Sequence, residues 1–183
     1  LIADAGFDVI AHAVESFVAT GAGAISRSLA RDAFATAYRH LPASFAGDRS
    51  VRQHVHLAAT MAGVAFSQSG LGLCHAMAHA LGGKFHIPHG RLNAILLPAV
   101  IEANGEANAL YAELARGAGL GGAADTMAVR NLKNALYSLR KALQLPETLA
   151  QAGVSHQTVR EKTGEIVAAT LSDPCCATNP VRP

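Results

Sequence analysis

Four leucines between Met127 and Leu145, at positions 132, 136, 139 and 143, fall at i, i+4, i+7 and i+11. That period lays Leu132, Leu136, Leu139 and Leu143 along one stripe of an α-helix, since residues three and four apart share a helix face. Arg130, Lys133, Arg140 and Lys141 take the other faces, and Pro146 marks the stop. An apolar stripe of this kind must be covered by another layer of structure. The chain offers no sheet to cover it. It has 38 alanines, few β-branched runs and no alternating apolar–polar stretch. The expectation is an all-α, multi-helix bundle of roughly seven to nine helices with short connections.

The remaining helices are placed by the same period and by breakers. Asp4 is expected to cap a helix carrying Phe7, Ile10, Val14 and Phe17 as far as Thr20. A second runs from about Ala24 to His40 and ends before Pro42. Asp48 or Ser50 opens a third, with Val55, Ala59, Ala62 and Phe66, that lasts until Gly70. Leu73–Leu81 is short and stops at Gly82-Gly83; the next helix starts near His89, is kinked at Pro98 and ends at Asn104-Gly105. Glu106–Ala118 and Ser155–Leu171 complete the set.

Composition narrows the function classes. Fifteen basic and 13 acidic residues leave a net charge of +2, with no basic cluster and only 5% aromatics. That argues against nucleic acid as a partner. The longest apolar run, Ala94–Ile101, is far short of the ~20 residues that span a bilayer, so no membrane partner is expected. Three cysteines (Cys74, Cys175, Cys176) form neither a disulfide framework nor a CxxC site, which fits a reducing, cytoplasmic setting. Half of the residues are hydrophobic and 15% are charged, against a usual charged fraction of about 25%. Such a chain is expected to cover apolar surface with another domain or subunit. It also starts on Leu1 rather than methionine, and is read as residues 1–183 of a longer protein, one helical domain in itself.

The chemistry lies in the histidines. Of nine, four fall between positions 75 and 89: His75, His79, His86 and His89. Asp8 and His12 are i, i+4 on the first helix, and His75 and His79 repeat that spacing on another, followed by Pro88-His89-Gly90. Neutral imidazoles with one carboxylate suit Fe(II), Zn(II) or a similar ion, although spacing leaves open which imidazoles bind. His40, His54, His56 and His156 have nothing nearby to complete a site. His86 reads as a loop histidine, and Cys74 as a packing residue that points about 100° away from His75.

The stretch Gly72-Leu-Cys-His-Ala-Met-Ala-His-Ala-Leu-Gly-Gly-Lys-Phe-His-Ile-Pro-His-Gly90, followed by Asn93-Ala-Ile-Leu-Leu-Pro98, resembles the signature of the iron-containing (group III) alcohol dehydrogenases. Gly6-Phe-Asp-Val-Ile-Ala-His-Ala-Val-Glu15 is similar to that family's other metal-site helix, and Met61–Phe66 and the tail Asp173–Pro180 extend the likeness along the chain. Within that family the chain also resembles the ethanolamine- or propanediol-utilisation branch, which would associate the protein with a microcompartment.

The resemblance implies the dehydroquinate synthase-like C-terminal helical domain of a two-domain enzyme, the N-terminal α/β nucleotide-binding domain being absent from this sequence. It implies Asp8, His12, His75 and His89 as ligands of Fe2+ (or Zn2+), and His79 as an uncoordinated catalytic histidine near the nicotinamide of NAD(H) or NADP(H). It also implies Leu1 as a cofactor contact, and Phe66 and Cys175 as substrate-pocket residues. The implied reaction is hydride transfer between a small primary alcohol or aldehyde and the nicotinamide, by a homo-oligomer, with the metal polarising the substrate oxygen. Two other readings stand beside it. One is a catalytically silent helical metal-binding or assembly module; the other is a zinc-dependent enzyme like glycerol dehydrogenase, which the three-histidine pattern with Pro88-His89-Gly90 disfavours.

Overall fold

The first helix is apolar on almost every side, and a helix of that kind belongs inside a bundle. In the computed structural model, which describes residues 1–182, α1 (Ile2–Val18) buries Phe7, Ile10, Val14 and Phe17 and packs against five other helices. These are α2 (Ala24–Phe45), α3 (Arg52–Ser69), α4 (Leu73–Phe85), α5 (His89–Ala103) and α6 (Asn108–Gly117). The short 3₁₀ turn η1 (Gly105–Ala107) precedes α6; α7 (Asp125–Ala142), α8 (His156–Ser172) and a second 3₁₀ turn, η2 (Pro174–Thr178), complete the order. Eight α-helices and no strand occur among the described residues, as the patterning required.

The α7 stripe behaves as its period demands: Leu132, Leu136, Leu139 and Leu143 are all buried. Ser155 caps α8, its hydroxyl accepting the Thr158 amide at 3.1 Å. No single helix is long and apolar enough to cross a membrane; α3 and α4 reach that composition only as a pair bent by 103°.

Several expected boundaries move, each for a packing or pairing reason. Asp4 does not cap α1. The helix starts at Ile2, and the Asp4 carboxylate accepts Arg91 Nε and Nη2 at 3.1 and 3.3 Å. Asp48 turns the chain by accepting the Ser50 amide (2.8 Å), so α3 begins two residues later. Helix α2 runs through Pro42 to Phe45, because Leu41 and Ser44 are buried. Leu41 fills the space at Gly6 where a Cβ would stand. Helix α4 runs through Gly82-Gly83 to Phe85, where Lys84 pairs with Glu165 of α8. His86 then ends it in the left-handed conformation (φ 56°), donating its amide to the Gly82 carbonyl. His86 is thus the first residue of the loop that leads to α5, as expected, and it terminates α4.

Candidate metal centre

Three helices bring the chemistry together. From α1 come Asp8, His12 and Glu15, at i, i+4 and i+7; from α4 come His75 and His79; from the first two turns of α5 come His89 and Asn93. The approach of α5 to α1 is set at Gly90, where a Cβ would collide with the Asp4 carbonyl and stand 3.2 Å from Asp8 Cβ. Glycine there lets His89 reach Asp8.

Asp8 Oδ1 lies 3.4 Å from His89 Nε2 and 3.7 Å from His75 Nε2, while Asp8 Oδ2 lies 3.8 Å from His12 Nδ1. Ligand atoms of Asp8, His75 and His89 all fall within 4.8 Å of one another. A tetrahedral ion with bonds of about 2.0–2.1 Å has edges of about 3.4 Å, so the donor set fits a divalent first-row ion with little adjustment. His12 stands outside that tightest trio, with its ring stacked on His75 at 4.5 Å and on Phe66 at 4.6 Å. His75 is buried, whereas Asp8, His12 and His89 retain 25%, 20% and 34% exposure, so the cluster is closed behind and open in front. An ion held here therefore has a side accessible to a small molecule.

Two further residues hold this cluster, and neither was assigned a role from sequence. Glu15 is 2% exposed, and one of its oxygens sits 2.6 Å from His75 Nδ1. The same carboxylate accepts the backbone amides of Gly72 (3.1 Å), Cys74 (2.7 Å) and His75 (3.2 Å) at the start of α4. A buried carboxylate is stable only with such partners, and here the positive end of a helix adds to them. Holding a proton on His75 Nδ1 turns Nε2 towards Asp8, the usual second layer of a metal–histidine site. Asn93 donates to Asp8 Oδ1 at 2.7 Å and fixes the carboxylate rotamer. Cys74 packs against Asn93, as its position predicts, and burial holds its thiol far above the ordinary range.

The charges are strongly coupled. Burial pulls His75 down, but contact with the Asp8 and Glu15 carboxylates outweighs it and raises it to about 9. Burial and the neighbouring His75 lower His12 to about 4, and burial also lowers His89. Burial alone would raise Asp8, yet His75, His12 and His89 together bring it below the ordinary carboxylate range. Asp8 is therefore ionised at neutral pH, and His12 and His89 present neutral imidazole nitrogens.

His79 lies beside the trio, its ring stacked on His89 at 5.0 Å and edge-on to His75 at 6.3 Å. Its Nδ1 meets Asp173 Oδ2 at 2.8 Å, and Cys175 completes a second group of close donor atoms with this pair. Burial and Asp173 push the Cys175 thiol up to about 12, so it is neutral. Phe66 and Cys175 thus border the cluster from α3 and η2. Leu1 is 99% exposed at the head of α1, about 10 Å along the helix from Asp8, and lines an apolar cavity of about 330 Å³ with Ile2, Val9, Arg52, Val55 and His56. His40 and His54 stack on each other at 4.5 Å, and no metal-capable group includes them, His56 or His156 among the described residues.

Residues 2–183 match the pattern of the Fe-containing alcohol dehydrogenase family, C-terminal. The chain belongs to the iron-containing alcohol dehydrogenase family. It is 39% identical over 181 residues to the NADPH-dependent butanol dehydrogenase of Clostridium saccharobutylicum, covering 98% of this chain and 47% of that protein. It is 38% identical to the 1-propanol dehydrogenase PduQ of Citrobacter freundii, covering 98% of this chain and 50% of that protein. Among solved structures, the iron-containing alcohol dehydrogenase of Thermococcus thioreducens superposes with a TM-score of 0.89 at 37% identity, over 100% of this chain and 47% of that one. A 1,3-propanediol oxidoreductase superposes with a TM-score of 0.92 at 30% identity, over 99% and 48%. The chain therefore spans about half the length of the relatives it matches, and the family pattern it fits is the C-terminal one.

Proposed function

We propose that this domain is the metal-binding half of an NAD(P)-dependent alcohol dehydrogenase that interconverts small primary alcohols and aldehydes. The observation that carries the reading is the convergence of Asp8, His75 and His89, with His12 beside them, on a cluster that Glu15 and Asn93 pre-orient. Asp8, His12, His75 and His89 would hold a divalent ion, Fe2+ or Zn2+. When bound, that ion supplies Lewis acidity towards the substrate oxygen.

The remaining work belongs to the chain itself. Asp8 contributes the single negative charge, and the imidazoles leave the centre electrophilic. Phe66 and the neutral Cys175 thiol offer apolar contact for a short alkyl chain. His79, next to His89 and hydrogen-bonded to Asp173, is the group placed to accept a hydrogen bond from the substrate hydroxyl or to hold the nicotinamide. Leu1 and the apolar cavity at the head of α1 form a surface for the cofactor and for a nucleotide-binding domain. The relatives named for butanol and for 1-propanol match almost equally well, which supports a primary alcohol of a few carbons rather than one utilisation branch. A cytoplasmic homo-oligomer is the state we infer, with a place inside a microcompartment resting on the PduQ likeness.

The test is an absorbance assay of the enzyme carrying this domain, loaded with Fe2+ or Zn2+ and supplied with NADP⁺ or NAD⁺ and C2–C4 primary alcohols. Reduced nicotinamide should accumulate with at least one alcohol, and His79→Ala should slow it without releasing metal. Metal binding with no hydride transfer from any alcohol would favour a silent metal-binding module instead.

A further inference from the structure

His79 is 47% exposed, yet a carboxylate 94 positions later is delivered to its Nδ1 at 2.8 Å. A pair this open adds little to stability. The effort spent on holding it in place is nonetheless large. Asp173 Oδ1 accepts the Cys175 amide (2.8 Å) at the start of η2, which fixes the carboxylate plane. The η2 segment is itself tied down: Thr178 donates to the Leu71 carbonyl (2.7 Å), and Asn179 accepts the Leu73 amide (2.9 Å) and donates to Asn104 (2.8 Å). The tail is thereby locked to the start of α4, the helix that carries His79.

We propose that Asp173 is a positioning residue that keeps the proton of His79 on Nδ1 and so presents Nε2 as a hydrogen-bond acceptor on the substrate side. A neutral imidazole has one donor and one acceptor nitrogen, and the partner of one decides the role of the other. The Asp173 carboxylate can only accept, so Nδ1 must donate. The ring lies flat against His89, which leaves rotation about its bond to the chain as the only other freedom, and the same hydrogen bond removes that. The inference rests on the dehydrogenase reading for its consequence, although the tautomer itself does not.

Two measurements separate those layers. In ¹⁵N-histidine-labelled, zinc-loaded protein, long-range ¹H–¹⁵N spectra should show His79 protonated at Nδ1. Asp173→Asn keeps its one amide oxygen for the Cys175 amide and turns its NH2 towards Nδ1, so it should reverse the tautomer to Nε2–H; Asp173→Ala should shift it towards Nε2–H as well. In the enzyme carrying this domain, Asp173→Ala should lower kcat about tenfold to a hundredfold, with KM for the alcohol and metal content within about twofold of wild type. Asp173→Asn, which keeps the volume and the Cys175 contact but presents a donor to Nδ1, should share the loss of kcat. An Nε2–H tautomer in the wild type, or one unchanged in Asp173→Ala, overturns the proposal. So does a fall of kcat accompanied by a raised KM and a loss of metal, which marks a purely structural role. Absence of turnover in the wild type would instead sink the dehydrogenase reading and leave the spectroscopic arm to decide on Asp173.

Discussion

His75 Nδ1 and Glu15 Oε2 lie 2.6 Å apart across 60 positions, in a place where both residues are almost wholly buried. This one contact joins the packing of α1 against α4 to the orientation of a proposed metal ligand. Its removal should therefore be felt twice. Glu15→Ala strands three backbone amides and a histidine in the interior, at a cost of about 3–5 kcal/mol in folding stability. Glu15→Gln keeps an acceptor oxygen and the volume; it should fold, but bind metal about 10–100-fold more weakly. Chemical denaturation and a competitive chelator titration measure the two effects.

Gly90 makes a separate prediction. The β-carbon introduced by Gly90→Ala meets the Asp4 carbonyl and the Asp8 side chain, which are parts of α1 that cannot yield. Helix α5 must withdraw, taking His89 from Asp8. Destabilisation of about 1–3 kcal/mol is expected, together with weakened metal binding. The same change at Gly63, in the middle of α3 with nothing within 4 Å, should leave metal binding unchanged and stabilise by about 0.5–1 kcal/mol.

The proposed ligands were half legible in the sequence. Asp8–His12 and His75–His79 announce themselves by i, i+4 spacing with His89 close behind, and the resemblance chose among the imidazoles, keeping His89 and setting His79 aside. Glu15 completes the i, i+4, i+7 series begun by Asp8, but a lone acidic residue on an apolar helix does not disclose that it is buried or what it faces. Asp173 is less accessible still, because no local rule links a tail residue to a histidine on α4. The misplaced boundaries tell the same story. Pro42 and Gly82-Gly83 are breakers by local chemistry, yet burial of Leu41 and Ser44 and the Lys84–Glu165 pair carry the helices past them.

Cys175 should be slow to alkylate. Its thiol, raised to about 12 by burial and by Asp173, is almost entirely protonated at pH 8. Its rate with iodoacetamide should keep climbing as pH rises towards 12, instead of levelling above the ordinary cysteine value. Asp173→Asn removes the opposing charge, lowers the thiol pKa and should accelerate alkylation at pH 8; peptide mapping resolves Cys175 from Cys176.

The α7 stripe sets the stability of the frame. Leu136→Ala opens a cavity under a fully buried side chain and should cost about 2–5 kcal/mol. Leu136 lies outside the cluster, so metal stoichiometry in the folded fraction should be unchanged. Circular dichroism melts and elemental analysis read the two quantities.

The central claim is that Asp8, His12, His75 and His89 form a metal centre, and metal content per chain tests it most directly. Elemental analysis after anaerobic loading with Fe2+ or Zn2+ and removal of excess should give one equivalent in the wild type. It should give close to none in a folded His75→Ala/His89→Ala variant. A well-folded wild type that retains no metal, or a double variant that retains a full equivalent, would contradict it.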